Sequence, residues 1–377
     1  MSNEDYNEST RREFLQTGAA VLGLGSLSPD LRTGLEELPD GTMYDPENEV
    51  KYISRWETIN KEPGKPPERK AIYETMPIEK KERIDRTEEV EEAVVRVLYD
   101  ENLDSITTTT EYDKQSSTDL GLKISYDPDE VHDEEIEELL KTAINSELED
   151  IPIVIESEER NLEEFYKQRR FNPVPGGQMV EGIGDGGGLG TLMGPFYSDQ
   201  HGDGWVSAAH VVGSSGNDVE QNQPPSAAGD ARIGEVKDRI YKSWIDVGFI
   251  DESDVEITTQ DISEKYNTDY GEYIDGIVTD QELKNKLDEN FEIHMQGRVS
   301  NRESGTLNGI KKDIFGRTIG HTTDKGMAGG DSGGPMFHKD GEFVYMTGLI
   351  VGPDPNGPGT RGTTVETIEN RLGGQTY

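Results

Sequence analysis

Ser332 lies in Gly330-Asp331-Ser332-Gly333-Gly334-Pro335, a glycine-rich turn closed by a proline. Glycines let a backbone turn sharply and bring its N–H groups close to a bound carbonyl. That setting suits a serine nucleophile whose neighbouring amides stabilise an oxyanion. A serine is a poor nucleophile at neutral pH, so the chemistry needs an adjacent base, usually a histidine oriented by a carboxylate. The chain offers six histidines: His132, His201, His210, His294, His321 and His338.

His210 stands out among them. In Trp205-Val206-Ser207-Ala208-Ala209-His210-Val211-Val212, a β-prone run ends in small residues and leaves the histidine at the start of a turn. His201 sits in the polar run Asp199-Gln200-His201-Gly202-Asp203-Gly204, which reads as a hairpin turn. His321, eleven residues before the serine, reads as a strand residue or a pocket-lining one, and His132 is isolated. For the acid, Asp246 in Trp244-Ile245-Asp246-Val247-Gly248-Phe249-Ile250 has apolar flanks that predict burial, which an imidazole-orienting carboxylate needs. Asp238, Asp251 and Asp254 are its nearby rivals.

Two families share the serine pattern. The nucleophile turn of α/β-hydrolases also fits G-x-S-x-G, but there an acid and then a histidine follow the serine. Only His338 follows Ser332, six residues on, too close to leave room for an acid between them. The trypsin/chymotrypsin-like order places histidine and aspartate first. The segment around His210 resembles the T-A-A-H-C box of those peptidases, with Ser207 for threonine and Val211 where many have cysteine. The segment around Asp246 resembles their D-[IV]-A-[LV] box, with Gly248 for alanine.

The resemblance covers roughly residues 175–375. It implies a triad of His210, Asp246 and Ser332 and an oxyanion hole from the Gly330 and Ser332 amides; no residue is read as holding a cofactor or a metal. Gln296-Gly297-Arg298 to Gly309 is similar to a glycine-punctuated segment of the second barrel in bacterial relatives. Gly348-Leu349-Ile350-Val351-Gly352 is similar to the substrate strand, with the usual serine-aromatic-glycine replaced. Gly326 stands where trypsins carry an aspartate, so a preference for Lys or Arg is not expected. Lys325 is a candidate for favouring acidic side chains.

From Asn172 onward, short β-prone runs recur between glycine-rich turns. They are Gly190–Phe196, Gly204–Ala208, Ala231–Val236, Val247–Ile250, Glu292–Gly297, Thr306–Ile310 and Phe343–Val351, with a closing helix at Thr364–Leu372. The predicted fold is therefore mainly β, two packed antiparallel β-barrels over 172–377, preceded by a small α/β N-terminal domain. That domain is expected over 87–158: a helix capped by Thr87 with Val90, Ala93, Val94, Val97 and Leu98 on one face, β-prone runs at Ser105–Glu111, Leu120–Tyr126 and Ile151–Ile155, and a helix at Asp133–Asn145. It carries no catalytic constellation. Its place before a peptidase domain predicts a propeptide or a permanent accessory domain, with Arg169-Arg170 as a candidate processing site. Residues 30–86, with scattered prolines among charged residues, read as a disordered linker.

Thr10-Arg11-Arg12-Glu13-Phe14-Leu15-Gln16 resembles a twin-arginine export signal over residues 1–29. Its apolar stretch Thr17–Leu27 is too short for a membrane span, which needs ~20 residues, and has the length of a signal-peptide core. Export to the exterior or cell surface is expected. The chain has 77 acidic and 37 basic residues, a net charge of −40. Nucleic acid and anionic membranes are not expected as partners, since both need a concentrated basic face. The acidity resembles that of proteins from halophilic archaea, where salt screens self-repulsion. Absence of cysteine removes disulfides and thiolate metal ligands. The expected activity is a serine endopeptidase acting on protein or peptide. A catalytically silent binding protein on the same fold, and an esterase using the same triad, are its rivals.

Overall fold

The computed structural model describes residues 35–62, 64–100, 107–112, 120–126, 153–157, 176–221, 232–242, 245–252, 261–263, 271–312, 317–354 and 358–377. The predicted signal, His132, the predicted helix at Asp133–Asn145 and Arg169-Arg170 lie outside them. Among the described residues, those within 53–72 and 82–377 form one compact unit, and those within 35–52 and 73–81 another. In the latter, β1 (Glu36–Glu37) pairs antiparallel with β2 (Met43–Tyr44), and the Tyr44 hydroxyl donates to Glu36 at 2.6 Å.

Two closed barrels dominate the larger unit. The first contains β8 (Met179–Ile183), β9 (Leu189–Ser198), β10 (Gly202–Ser207), β11 (Asp218–Gln221), β12 (Arg232–Lys242) and β13 (Ile245–Asp251). It closes antiparallel in the order β8–β9–β10–β13–β12–β11 and back to β8. The second contains β17 (Glu292–Gly297), β18 (Asn301–Lys312), β19 (Thr318–Thr323), β20 (Pro335–Asp340), β21 (Phe343–Pro353) and β22 (Thr360–Thr364). Its order is β17–β18–β19–β22–β21–β20 and back to β17. This is the chymotrypsin-like arrangement. Closure removes the free edges that an open sheet would present, and buried apolar side chains fill the interiors. Trp205, Phe196, Phe249 and Leu192 are wholly buried in the first, and Ile293, Met295, Met336 and Ile350 in the second. A short β14 (Asp261–Ser263) pairs with β15 (Gly271–Tyr273) between them in sequence.

The N-terminal region departs from expectation. Where a disordered linker is predicted over 30–86, β3 (Glu49–Asn60) and β4 (Glu68–Pro77) form a hairpin, and helix α1 (Ile78–Asp100) begins nine residues before Thr87. Thr87 is therefore mid-helix; it is buried and its hydroxyl donates to the Arg83 carbonyl at 3.0 Å. Val90 and Val94 are buried, as their spacing predicts. The charged residues that suggested a linker are used in contacts distant in sequence. Arg55 pairs with Asp340 at 2.5 Å, and Arg69 grips both oxygens of Glu369 at 2.8 and 2.7 Å. Pro66 and Pro67 fall in the turn between the two strands, where no ladder N–H is lost.

Residues 53–72 act as a strap. Arg55–Glu57 pair with β16 (Gly276–Val278), which runs parallel to β21 of the second barrel. On the first barrel's side, the Gly64 amide donates to Asp203 at 2.7 Å. Arg69 also donates to the Thr376 carbonyl at 2.6 Å, beside the terminal strand β23 (Gly374–Thr376), which adds to β9.

The strands expected as a self-contained α/β domain instead extend the second barrel's sheet. β5 (Thr107–Tyr112) pairs with β18, Gly309–Lys311 opposite Glu111–Thr109. β6 (Leu120–Tyr126) lies antiparallel to β5, and β7 (Ile153–Ser157) parallel to β6. Glu88 of α1 ties the same region down: Lys284 and Lys312 meet it at 2.9 and 2.8 Å. Burial works to raise the Glu88 carboxyl, but the two ammonium groups outweigh it and hold its pKa below the usual range.

Candidate active site

His210 is presented by a single helical turn, α2 (Ala209–Val212), directly after β10. Ala208 is its extended N-cap residue, and Gly213, at φ +79°, ends it. The small residues are required by packing: a side chain on Gly248 would put its Cβ 2.6 Å from Val212 Cγ2. Glycine at position 248 therefore lets β13 lie tight against the helix that carries His210.

Asp246 on β13 is buried, as its apolar flanks predict. One oxygen accepts the His210 backbone N–H at 3.0 Å, and the other meets His210 Nδ1. The carboxylate thus fixes both the backbone and the ring, and leaves Nε2 as the ring nitrogen not engaged with the acid. The imidazole keeps 39 % of its side-chain surface exposed, so it can reach a substrate. Asp238, a rival acid, pairs instead with His201 at 3.1 Å, whose ring stacks on Phe249 in the β9–β10 turn. His321 on β19 is wholly buried, and burial lowers its pKa to about 3, so it is neutral and structural. His294 stacks on Phe337 and His338 on Phe291.

Ser332 is brought to the first barrel by its own backbone. The Thr191 amide on β9 donates to the Ser332 carbonyl at 2.8 Å. Gly333, at φ +88°, closes the approach: a Cβ there would lie 2.1 Å from the Thr191 carbonyl oxygen and 2.2 Å from Ser207 Oγ. The Ser332 hydroxyl donates to the Val351 carbonyl on β21 at 3.0 Å, and has no hydrogen bond to His210.

Among the described residues, Asp331 has no basic side chain as partner. Its carboxylate accepts the amides of Val299 at 2.7 Å, Ser300 at 3.2 Å and Ala328 at 2.9 Å. Burial pushes its pKa up, and the Ser300 side chain together with these amides offsets that only in part. Gly330, at φ +92°, completes the turn. Its carbonyl accepts from Thr191 Oγ1 at 3.1 Å and Arg298 Nε at 3.0 Å. The Gly330 and Ser332 N–H groups, the predicted oxyanion donors, have no partner within the protein among the described residues.

Thr191 and the role of Arg298 escape sequence reading, because only the packing of β9 against the 297–300 and 328–331 turns reveals them. The Lys325 ammonium meets Glu303 at 3.3 Å in a pair that stays part-exposed. Among the described residues, no group of His, Asp and Glu is arranged to hold a metal, and no helix is long and apolar enough to cross a membrane.

No family model matches the chain, and no curated protein matches it. Solved structures do. One is a glutamic-acid-specific serine protease described as using a histidine triad in substrate binding: 16 % identical, TM-score 0.37, spanning 54 % of this chain and all of that one. A Nocardiopsis protease is 18 % identical, TM-score 0.38, over 54 % of this chain and 97 % of its own. The active form of an M. tuberculosis protease is 17 % identical, TM-score 0.28, over 57 % and 93 %. The fold assignment rests on the closure of the two barrels.

Proposed function

We propose that the protein is a serine endopeptidase in which His210, Asp246 and Ser332 form the catalytic triad. The observation that carries this reading is the double engagement of His210 by buried Asp246, which holds the ring with Nε2 available. Ser332 Oγ rotates from the Val351 carbonyl toward Nε2, gives up its proton there and attacks the scissile carbonyl carbon. The carbonyl oxygen becomes an oxyanion and accepts the Gly330 and Ser332 N–H groups. Collapse breaks the C–N bond, and the proton on Nε2 passes to the leaving amine. Water then attacks the acyl-enzyme with His210 as base, releasing the acid and restoring Ser332.

Protein or peptide is the proposed substrate class. Nucleic acid is not a proposed partner, since a net charge of −40 repels it. We also propose export by the twin-arginine route and operation in high salt, both from sequence. The strap at 53–72 and the β5–β18 pairing favour a permanent N-terminal element over a propeptide that leaves after processing.

The test is covalent labelling with a peptidyl phosphonate, followed by mapping of the modified peptide. Label on Ser332 that is lost in Ser332→Ala supports the catalytic reading, and cleavage of a peptide library then separates peptidase from esterase. Folded protein at high salt that takes no label identifies a silent binding protein.

A further inference from the structure

We propose that Arg298 is a positioning residue for the oxyanion turn, an inference that rests on the serine-peptidase reading above. Arg298 is 4 % exposed, an unusual place for a guanidinium that belongs to no triad. Nε donates to the Gly330 carbonyl at 3.0 Å, while Nη1 sits 2.9 Å from the Met179 sulfur at the start of β8. Its backbone N–H donates to Thr191 Oγ1 at 3.2 Å, and that hydroxyl donates in turn to the same Gly330 carbonyl at 3.1 Å. One carbonyl of the nucleophile turn is therefore gripped by two side chains, one from each barrel's sequence.

The grip matters because of what a glycine turn can otherwise do. Gly330 at φ +92° has no side chain to limit it, so the peptide after it can rotate. A rotated Gly330 carbonyl would bring a negative dipole end into the turn whose N–H groups are to meet the oxyanion. Holding that oxygen on Thr191 and Arg298 removes this alternative. The space is already filled: a Cβ on Gly330 would come within 2.4 Å of Arg298 Nη2, so glycine and arginine are matched. Asp331 secures the other side through the amides of Val299 and Ser300, the two residues following Arg298. Arg298 acts through the turn and does not touch the reacting atoms.

The experiment compares Arg298→Met, Arg298→Lys and Thr191→Val with the full-length protein at high salt. Steady-state kinetics would use a peptide that the wild type cleaves, and inhibition would use the aldehyde of the same peptide, which forms a tetrahedral adduct. Loss of one well-placed oxyanion donor costs ~10²–10³ in kcat. Misplacing the turn is accordingly expected to lower kcat about 10–100-fold in Arg298→Met, with KM within about threefold. Aldehyde affinity should fall in proportion to kcat, and Arg298→Lys should recover part of both. Thr191→Val, which keeps the guanidinium, should show a smaller loss of the same kind. A folded Arg298→Met with kcat within twofold of wild type overturns the proposal, as does a kcat loss without loss of aldehyde affinity. Should Arg298→Met fail to fold, the same criteria apply to Arg298→Lys and Thr191→Val. Wild type that phosphonate does not label at Ser332 defeats the peptidase reading itself, and this proposal with it; labelled wild type with unaffected variants defeats this proposal alone.

Discussion

The hydroxyl of Ser332 donates to the carbonyl oxygen of Val351, 3.0 Å away on the strand that follows the nucleophile turn. In the proposed mechanism a serine held this way is parked: its proton is directed at a backbone acceptor, and attack would require one rotation about χ1. An adduct on Ser332 is therefore expected to break this bond. A structure of the phosphonate-modified protein checks it, and an adduct formed with the Val351 contact intact would refute the parked state.

Asp246→Asn is expected to keep the fold and lower kcat by about 10⁴, because an amide stabilises the wrong tautomer of the ring. The measurement is kcat at pH 7 alongside the melting temperature. Retention of wild-type kcat would remove Asp246 from the triad and return attention to Asp251 or Asp254.

Asp331→Asn replaces an acceptor by a group that carries donors and faces three backbone amides. The turn it supports should open, lowering kcat/KM at least tenfold and destabilising by about 1–3 kcal/mol through unsatisfied buried groups. Denaturant unfolding with parallel kinetics measures both. An isosteric variant with unchanged activity would show that the amide nest is dispensable.

Asp280, at the start of α3 (Asp280–Asn285), carries a carboxyl raised to about 7 by burial first and then by the neighbouring Glu366, with Thr364 and Lys284 acting in opposition. Its native pKa lies above the ordinary 3.8, so between about pH 4 and pH 7 the native state binds the extra proton and stability falls as pH rises. Asp280→Asn should flatten that decline and raise the melting temperature above pH 7, at roughly 2–4 °C per kcal/mol. Melting curves from pH 4 to 8 at fixed salt decide it, and parallel curves for the two proteins would refute it.

The N-terminal segment should stay bound after the chain is cut. A cleavage site engineered after Arg170, followed by gel filtration in multimolar KCl, is expected to give one co-eluting species. Glu88→Gln should weaken the association by ~1–3 kcal/mol, less than a fully buried pair because Glu88 keeps part of its surface in solvent. Separation of the two fragments without denaturant would restore the dissociable propeptide.

Sequence by itself put forward the proposed chemistry. Residue type and order selected His210, Asp246 and Ser332 because nucleophile, base and acid have local needs: a glycine turn, a turn entered through small residues and an apolar run around a carboxylate. The same locality placed β9, β10, β17 and β21, whose β-prone runs lie between turn signals. β8, β11, β19, β20 and β22 were not read, being short, polar in part or rich in threonine and glycine, and defined by the partners that close each barrel. The linker reading failed at β3 and β4 for a related reason. Arg55 and Arg69 look solvated along the chain, yet their partners Asp340 and Glu369 lie about three hundred residues away.

Asp331 shows the same division within one motif. Its position beside Ser332 is written in the sequence, but most of its partners are backbone amides, and every residue but proline has one to offer. Only the tertiary fold could choose Val299, Ser300 and Ala328, or set Arg298 and Thr191 on the Gly330 carbonyl. A nucleophile is a residue type, whereas the geometry that arms it is a set of distances between segments that no local pattern encodes.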